Sequence, residues 1–198
     1  KLKKIFFTIN LKGKFRIFGH ENGVTSVRET TEACAELGIK YLTLYAFSTE
    51  NWQRPADEVN ALMNLLVKTI EKEMPTLQKN KIKLNAIGDL KSLPENIYSR
   101  LLKAIKETEN NNQMTLNLAL SYSAKWDLTQ AIKGISQDIL DKKITVDDIN
   151  DDLVNRYLST RDMPHPELLI RTSGEYRISN FLLWEIAYSE LYFTPVLW

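Results

Sequence analysis

Two arginines and a serine lie near the end of the chain, where an apolar run gives way to a turn. Residues 168–170 are apolar and predict a buried strand, so Arg171 stands at the strand end, followed by Arg177 and Ser179. Guanidinium groups are forked, permanently charged donors that suit a phosphate or diphosphate. Residues 181–184 predict a helix, whose first N–H groups add to such a site. The spacing indicates either an anion site or two arginines that pair with surface carboxylates.

A second polar cluster follows an apolar run nearer the middle of the chain. Residues 39–47 are rich in Tyr, Leu and Ile, which is typical of a central parallel strand. Four polar or aromatic side chains come directly after it, namely Ser48, Asn51, Trp52 and Arg54. Ligands of open parallel sheets bind at the carboxyl ends of strands, where loops commonly gate access. Trp52 is therefore either a core aromatic or part of a loop that closes over a ligand.

A third candidate pair, Arg16 and His20, precedes a predicted helix over residues 21–37 that Gly38 ends. An arginine and a histidine at this position suit an anion, although a solvent-exposed loop explains them equally well. Short apolar runs alternate with helical patterns about six times along the chain. This alternation predicts an α/β fold with a central, mostly parallel sheet of about six strands flanked by helices.

Composition limits the classes of protein to consider. The chain has 198 residues, of which 43% are hydrophobic, so we expect a single domain over residues 1–198. A formal charge of +1 argues against a nucleic-acid binder that works through bulk charge. One Cys and two His exclude an internal disulfide and a Cys/His zinc site. No apolar run approaches the roughly 20 residues that span a bilayer, so we expect a soluble, cytoplasmic protein.

Three ordered blocks of this sequence resemble the cis-prenyltransferase family. They are residues 16–20, 41–55 and 171–193, and the resemblance runs from about Gly13 to Trp198. It implies a Mg²⁺-dependent transferase that condenses isopentenyl diphosphate onto farnesyl diphosphate to make a long-chain polyprenyl (undecaprenyl) diphosphate, a lipid carrier precursor for cell-wall glycans. It also implies a homodimer, a peripheral association with the membrane that receives the product, and a hydrophobic tunnel. The predicted helix over residues 59–77 walls that tunnel or packs in an ordinary core.

The resemblance also assigns roles to individual residues. It implies a substrate-binding set of Arg16, His20, Ser48, Trp52, Arg54, Arg171, Arg177 and Ser179. Within that set the last three residues match the isopentenyl diphosphate site, and the first two match the allylic diphosphate side. Asn51 and His20 are the implied catalytic residues, and Glu190 is the implied Mg²⁺ ligand.

The sequence departs from the family in two places. The family's Asp-Gly-Asn-x-Arg loop is missing near residues 10–11, and no aspartate occurs before Asp57. Either a loop is absent from this sequence, or the motif is lost and the chain is a non-catalytic partner subunit of a heteromeric enzyme; the intact arginine cluster favours catalysis. Residues 121–126 differ from the family's Asn-Tyr-Gly-Gly-Arg and are left out of the predicted site. A generic phosphate-binding domain such as a phosphatase is a third reading, but no nucleophilic Cys or Asp motif supports it.

Overall fold

Six parallel strands form one sheet at the centre of the protein. The computed structural model describes residues 4–8 and 16–196, with side chains described for residues 25–196. The strands are β1 (Lys4–Thr8), β2 (Tyr41–Ser48), β3 (Ile82–Ile87), β4 (Met114–Tyr122), β5 (Leu168–Arg171) and β6 (Glu190–Phe193). They lie in the order β3-β4-β2-β1-β5-β6, and every neighbouring pair is parallel. The predicted α/β class with a parallel sheet is confirmed.

Five α-helices connect the strands. They are α1 (Arg16–Glu36), α2 (Ala56–Lys79), α3 (Glu95–Glu107), α4 (Ala124–Leu140) and α5 (Asp151–Tyr157). As predicted, Gly38 ends α1 in the left-handed conformation with a φ of 76°, which costs glycine nothing. Among the helices of residues 16–196, none is long and apolar enough to cross a membrane.

The two faces of the sheet carry two separate apolar clusters. On one face, Leu42 and Leu84 pack with Met63 of α2 and Leu101 of α3, and Cys34 of α1 joins them. This alternation of side chains between faces is the ordinary consequence of the strand pleat. On the other face, a second cluster is built from Tyr45, Ala119, Tyr122, Leu169, Phe181 and Leu182. The C-terminal segment therefore takes the place of a helix over part of this face.

The predicted helix at residues 181–184 is wrong, because this segment forms a series of turns. Ser179, Asn180 and Leu182 have φ values of 57°, 60° and 48°, whereas a right-handed helix needs a φ near −63°. These turns press Phe181 and Leu182 onto the sheet, where both side chains are fully buried. Each such side chain contributes roughly 1.5–3 kcal/mol of burial, which helical propensity cannot match.

Two further boundaries differ from the sequence-based expectations. α1 begins at Arg16 rather than near residue 21, so Arg16 and His20 lie within its first turns. The helix continues through Gly19, whose propensity penalty of about 1 kcal/mol is small. The sequence also gave no separate prediction for β6, a four-residue strand at the edge of the sheet.

Candidate functional site

The carboxyl ends of three adjacent strands define the candidate site. Thr8, the last residue of β1, pairs with Tyr45 of β2 on one side and with Arg171 of β5 on the other. The loops that follow β2 and β5 therefore lie on either side of the end of β1. Ligands of parallel α/β sheets bind at this edge. The prediction that a loop is missing near residues 10–11 lies outside the described residues.

Arg171 is the most unusual residue at this edge, because its charged group is buried without an adequate acceptor. Its side chain is 1% exposed, and its Nη1 atom lies 3.4 Å from the Ser179 hydroxyl. Within the described part of the chain, its Nε and Nη2 atoms have no hydrogen-bond partner. Burial and the nearby charge of Arg177 lower the pKa of Arg171, while Glu175 opposes this shift. A buried cation in this state is costly unless an anion binds it.

Arg177 lies close enough to Arg171 to lower the pKa of Arg171. Unlike Arg171, Arg177 is exposed to solvent. Its guanidinium makes an ion pair with Glu175, a half-buried carboxylate in the same loop. The loop thus brings Arg171, Ser179 and Arg177 together, as the predicted isopentenyl diphosphate site requires. Glu175, which the sequence did not single out, balances part of their positive charge.

The loop after β2 is a short 3-10 turn, Thr49–Gln53, that contains most of the second predicted cluster. The Asn51 Oδ1 atom accepts a hydrogen bond of 3.0 Å from the backbone N–H of Ser48, so this side chain also stabilises the turn. The Arg54 guanidinium lies 3.0 Å from the Glu58 carboxylate in the first turns of α2. The Asn51 Oδ1 atom is thus used in capping the turn, and the NH₂ group of the same side chain takes no part in that cap. The Arg54 side chain is held in place by its ion pair with Glu58.

Trp52 reaches away from this turn toward the end of β4. Its indole N–H donates a hydrogen bond of 2.9 Å to the Ser121 hydroxyl, and its ring packs edge-on against Phe47 at 4.9 Å. Trp52 is therefore a partly buried aromatic residue that packs against the core and anchors the loop after β2. The sequence did not identify Ser121, because residues 121–126 depart from the family pattern and were set aside.

Glu50 and Asn180 join the two loops directly. The Asn180 side-chain amide donates a hydrogen bond of 3.0 Å to the Glu50 carboxylate. Asn180 also accepts hydrogen bonds from the backbone N–H groups of Ala124 and Lys125, at 2.8 Å and 3.0 Å, at the start of α4. Partial burial opposes ionisation of Glu50, but hydrogen bonds led by the one from Asn180 outweigh it and lower its pKa. Neither residue was predicted, although both lie inside the resembling blocks.

Glu190, the predicted Mg²⁺ ligand, does not lie near Arg171 in the same chain. Glu190 pairs with Leu168 at the amino end of β5, whereas Arg171 is at the carboxyl end. Three residues of strand separate the two ends by roughly 10 Å. Among the side chains described for residues 25–196, no group of three His, Cys, Asp or Glu residues is placed to hold a metal ion. The side chains of Arg16 and His20 lie outside the described ones.

An aspartate run at residues 147–151 matches an Asp-Asp-x-x-Asp pattern, the metal-binding motif typical of trans-prenyltransferases. Here it serves local structure: the Asp148 carboxylate accepts hydrogen bonds of 2.7 Å and 2.8 Å from the backbone N–H and hydroxyl of Thr145. The Asn150 side chain caps α5. The run also follows the far end of α4, whose 17 residues extend about 25 Å from the candidate site. Residues 147–151 are all exposed, so the run is part of a solvated acidic surface.

The segment that follows the Arg177 loop contains a buried acid, Glu185. Glu185 is 4% exposed, and its Oε1 atom accepts a hydrogen bond of 2.6 Å from Thr160. Among the described residues, its Oε2 atom and the Tyr122 hydroxyl have no hydrogen-bond partner. Burial raises the pKa of Glu185, and Thr160 only partly offsets this. The native protein therefore holds this proton more tightly than the unfolded chain does.

Glu185→Gln is expected to stabilise the protein at neutral pH by about 1–2 kcal/mol, because an unpaired charged acceptor is removed. Because burial raises the pKa of Glu185 in the folded state, the wild type becomes less stable as the pH rises above the ordinary value of 4.5. Glu185→Gln has no such titration, so its stability does not fall in this way. Melting temperatures should thus diverge with rising pH and converge near pH 4. Asp127→Asn should instead destabilise the protein, because Ser159 donates to both Asp127 oxygens. Equal melting temperatures for Glu185→Gln and wild type across pH would contradict the prediction.

Comparison with known proteins decides the family. A family model described as "Putative undecaprenyl diphosphate synthase" matches residues 10–198. This chain belongs to that family. A ditrans,polycis-undecaprenyl-diphosphate synthase of Pasteurella multocida, described as specific for (2E,6E)-farnesyl diphosphate, is 52% identical over 187 residues. That alignment covers 94% of this chain and 78% of the relative. An isoprenyl transferase of Streptococcus agalactiae is 49% identical, with 93% and 76% covered.

Solved structures support the same family. A lavandulyl diphosphate synthase from Lavandula x intermedia, in complex with dimethylallyl diphosphate, superposes with a TM-score of 0.94 at 30% identity. The match covers 99% of this chain and 88% of that one. A "probable undecaprenyl diphosphate synthase" from Campylobacter jejuni superposes with a TM-score of 0.82 at 31% identity, covering 100% and 87%. The family resemblance inferred from the sequence is confirmed.

Proposed function

We propose that this chain is a cis-prenyltransferase that condenses isopentenyl diphosphate onto farnesyl diphosphate and makes a polyprenyl diphosphate of the undecaprenyl type. The observation that carries the proposal is Arg171, a buried guanidinium at the carboxyl edge of a parallel sheet, whose Nε and Nη2 atoms find no hydrogen-bond partner among the described residues. A diphosphate supplies the acceptors that this group lacks. The Pasteurella relative's name supports both the product and farnesyl diphosphate as the starter.

In the proposed reaction, the double bond of isopentenyl diphosphate attacks the allylic carbon of farnesyl diphosphate. The carbon–oxygen bond to the allylic diphosphate breaks, and the leaving diphosphate takes the electron pair. Loss of a proton from the isopentenyl unit then leaves a new cis double bond, and the cycle repeats. Arg171, Arg177 and Ser179 hold the isopentenyl diphosphate, which orients its double bond. Asn51 lies on the loop that closes over the site and assists the departure of the proton.

The allylic diphosphate is assigned to Arg16 and His20 on the resemblance alone. Mg²⁺ is likewise a prediction of the resemblance, because a hard cation pairs with phosphate oxygens. The described residues of one chain do not fit it, since Glu190 is at the opposite end of β5 from Arg171. No step of the mechanism above depends on it. Loss of turnover in EDTA, restored by added Mg²⁺, tests the prediction.

The growing apolar chain needs a dry compartment, and we assign it to the side of the sheet covered by α2 and α3. Leu62, Leu66 and Met74 of α2 are only partly buried against the apolar cluster on that face. Met114 begins β4 at the far end of the same face and is 2% exposed. This arrangement supports a tunnel that runs from the carboxyl edge toward Met114.

Met114→Ala is expected to shift the products toward longer chains, because it removes bulk at the proposed end of the tunnel. Truncating a buried Met also costs about 2–5 kcal/mol of stability. Leu153→Ala is the matched control: Leu153 of α5 is also 2% exposed but lies outside the cluster that packs on α2. Mass spectrometry of the extracted lipids measures the outcome. An unchanged length distribution in a folded Met114→Ala variant would exclude this residue as the tunnel end.

A second copy of this chain is the proposed partner. β6 is the edge strand of the sheet, and it exposes Leu191 and Tyr192 beside the fully exposed Tyr188. Aromatic residues are enriched at protein interfaces, which supports a homodimer formed through this edge. Sedimentation equilibrium should give twice the 22.9 kDa of one chain; a monomer contradicts the proposal.

We place the protein in the cytoplasm, in peripheral contact with the membrane that takes up its product.

The proposed activity is tested by incorporation of labelled isopentenyl diphosphate into butanol-extractable lipid, with farnesyl diphosphate and Mg²⁺ present. The preparation should have an intact mass that matches the sequence. Long-chain polyprenyl product, dependent on both substrates, supports the proposal. No product from such a preparation contradicts it and favours the non-catalytic partner subunit. Restored synthesis with a second, catalytic chain would then identify that role.

A further inference from the structure

A chain of three side chains connects the loop after β2 to the loop after β3. Trp52 Nε1–H donates to Ser121 Oγ at 2.9 Å, and Ser121 Oγ lies 2.8 Å from Ser92 Oγ. Ser92 Oγ also lies 2.6 Å from the carbonyl oxygen of Asp89. A carbonyl only accepts, and a hydroxyl has a single proton, so Ser92 donates to Asp89. Ser121 must then donate to Ser92 and accept from Trp52. The donor and acceptor of all three hydrogen bonds are thus determined, and we call this series from Trp52 to Asp89 the relay.

The backbone around Ser121 is fixed independently of this relay. The backbone N–H of Asp89 donates to the Ser121 carbonyl at 3.1 Å. This contact depends on Gly88, where an added Cβ would lie 2.1 Å from the carbonyl oxygen of Leu120. Ser121 itself is 2% exposed and has a φ of 48°, in the left-handed region. Its hydroxyl is therefore a rigidly held acceptor for the indole N–H of Trp52.

We propose that Ser121 is a positioning residue that holds the loop after β2 in its docked conformation through Trp52. The loop 48–54 also carries Asn51, which the proposed function places at the substrate, so this inference rests on that function. Because Asn51 and Arg54 are one and two residues from Trp52, an unanchored indole leaves both less precisely placed. These hydrogen bonds end at Asp89, so they join the loop after β2 to the carboxyl ends of β3 and β4.

Hydrogen exchange of the free protein tests the anchor without any substrate. In Ser121→Ala, the amides of residues 49–54 are expected to exchange about five- to tenfold faster, as the loss of one hydrogen bond predicts. Peptide 82–87 of β3 should not change, which separates loop release from general destabilisation. Trp52→Phe keeps the aromatic packing and removes the donor, so it should have the same effect. Ser99→Ala, an exposed serine of α3, is the matched control.

The double variant Ser121→Ala/Trp52→Phe decides whether the two residues act through one another. The proposal requires the double variant to exchange no faster at 49–54 than either single variant. It also requires kcat/KM to fall by a similar factor in all three variants, while kcat at saturating substrate stays close to that of the wild type. Multiplicative effects on exchange, or a Trp52→Phe loop that exchanges like wild type, would overturn it. Because exchange is measured without turnover, an inactive protein that shows these exchange rates would refute the proposed function and leave the anchor intact.

Discussion

Replacing Arg171 with methionine is expected to lower kcat/KM for isopentenyl diphosphate by about 100- to 1,000-fold while raising the stability of the free protein. Two guanidinium donor atoms, Nε and Nη2, have no acceptor in the part of the chain that the structure describes and are available to a diphosphate. Hydrogen bonds to charged groups contribute about 1.5–3 kcal/mol each. Methionine keeps an unbranched apolar stem of similar reach and removes those donors. The activity loss should therefore arise from lost diphosphate contacts rather than from unfolding.

The gain in stability follows from the same burial. Arg171 is 1% exposed, so the free protein contains a cation that neither water nor the described residues adequately solvate. Replacing an uncompensated buried charge by an apolar side chain commonly stabilises a protein, here by about 1–3 kcal/mol. Urea denaturation of wild type and Arg171→Met measures this directly. A variant that is both less stable and fully active would show that Arg171 is a structural residue and not a ligand for a diphosphate.

Arg177→Ala is expected to raise the KM for isopentenyl diphosphate about ten- to a hundredfold, because one charge-assisted contact is lost. Unlike Arg171, Arg177 is exposed and makes an ion pair with Glu175. Exposed ion pairs contribute only about 0–1 kcal/mol, so the stability of this variant should stay close to that of wild type. Steady-state kinetics with isopentenyl diphosphate varied at saturating farnesyl diphosphate gives the value.

Arg161→Ala is the matched control for that experiment. Arg161 is similarly exposed and lies 3.7 Å from the Asp162 carboxylate, so the same charge is removed away from β5. Its KM should equal that of wild type. If Arg177→Ala also leaves the KM unchanged, Arg177 does not bind the diphosphate, and its contact with Glu175 is only a surface ion pair.

The sequence predicted the sheet and its functional edge better than the segments that complete the site. The strands and Gly38 are specified locally, by apolar runs and by a residue that tolerates a positive φ, so the strands predicted at residues 39–47 and 168–170 lie close to the observed β2 and β5. The parallel arrangement then brings Arg171 and the loop after β2 to one edge, because all strands point the same way. Local pattern was sufficient for these features.

The errors occur where tertiary packing overrides local preference. The apolar run that contains Phe181 and Leu182 is typical of a helix. Both side chains are instead buried against the sheet, which requires a left-handed backbone conformation at the residues on either side of Phe181. Glu190 matches the family's acidic position, and strand register places it beside Leu168, so its role as a Mg²⁺ ligand stays a prediction. Ser121 was missed because its role depends on Trp52, 69 residues away in the chain. No local pattern records such a contact.

Calorimetric titration of isopentenyl diphosphate into the wild type and Arg171→Met, without farnesyl diphosphate, tests the central claim most directly. Binding without turnover isolates the proposed diphosphate site from every later step. We expect saturable binding at one site per chain in the wild type, and an affinity at least about a hundredfold weaker in Arg171→Met. Equal affinities in the two proteins would contradict it, because the buried guanidinium would then have no part in holding the diphosphate.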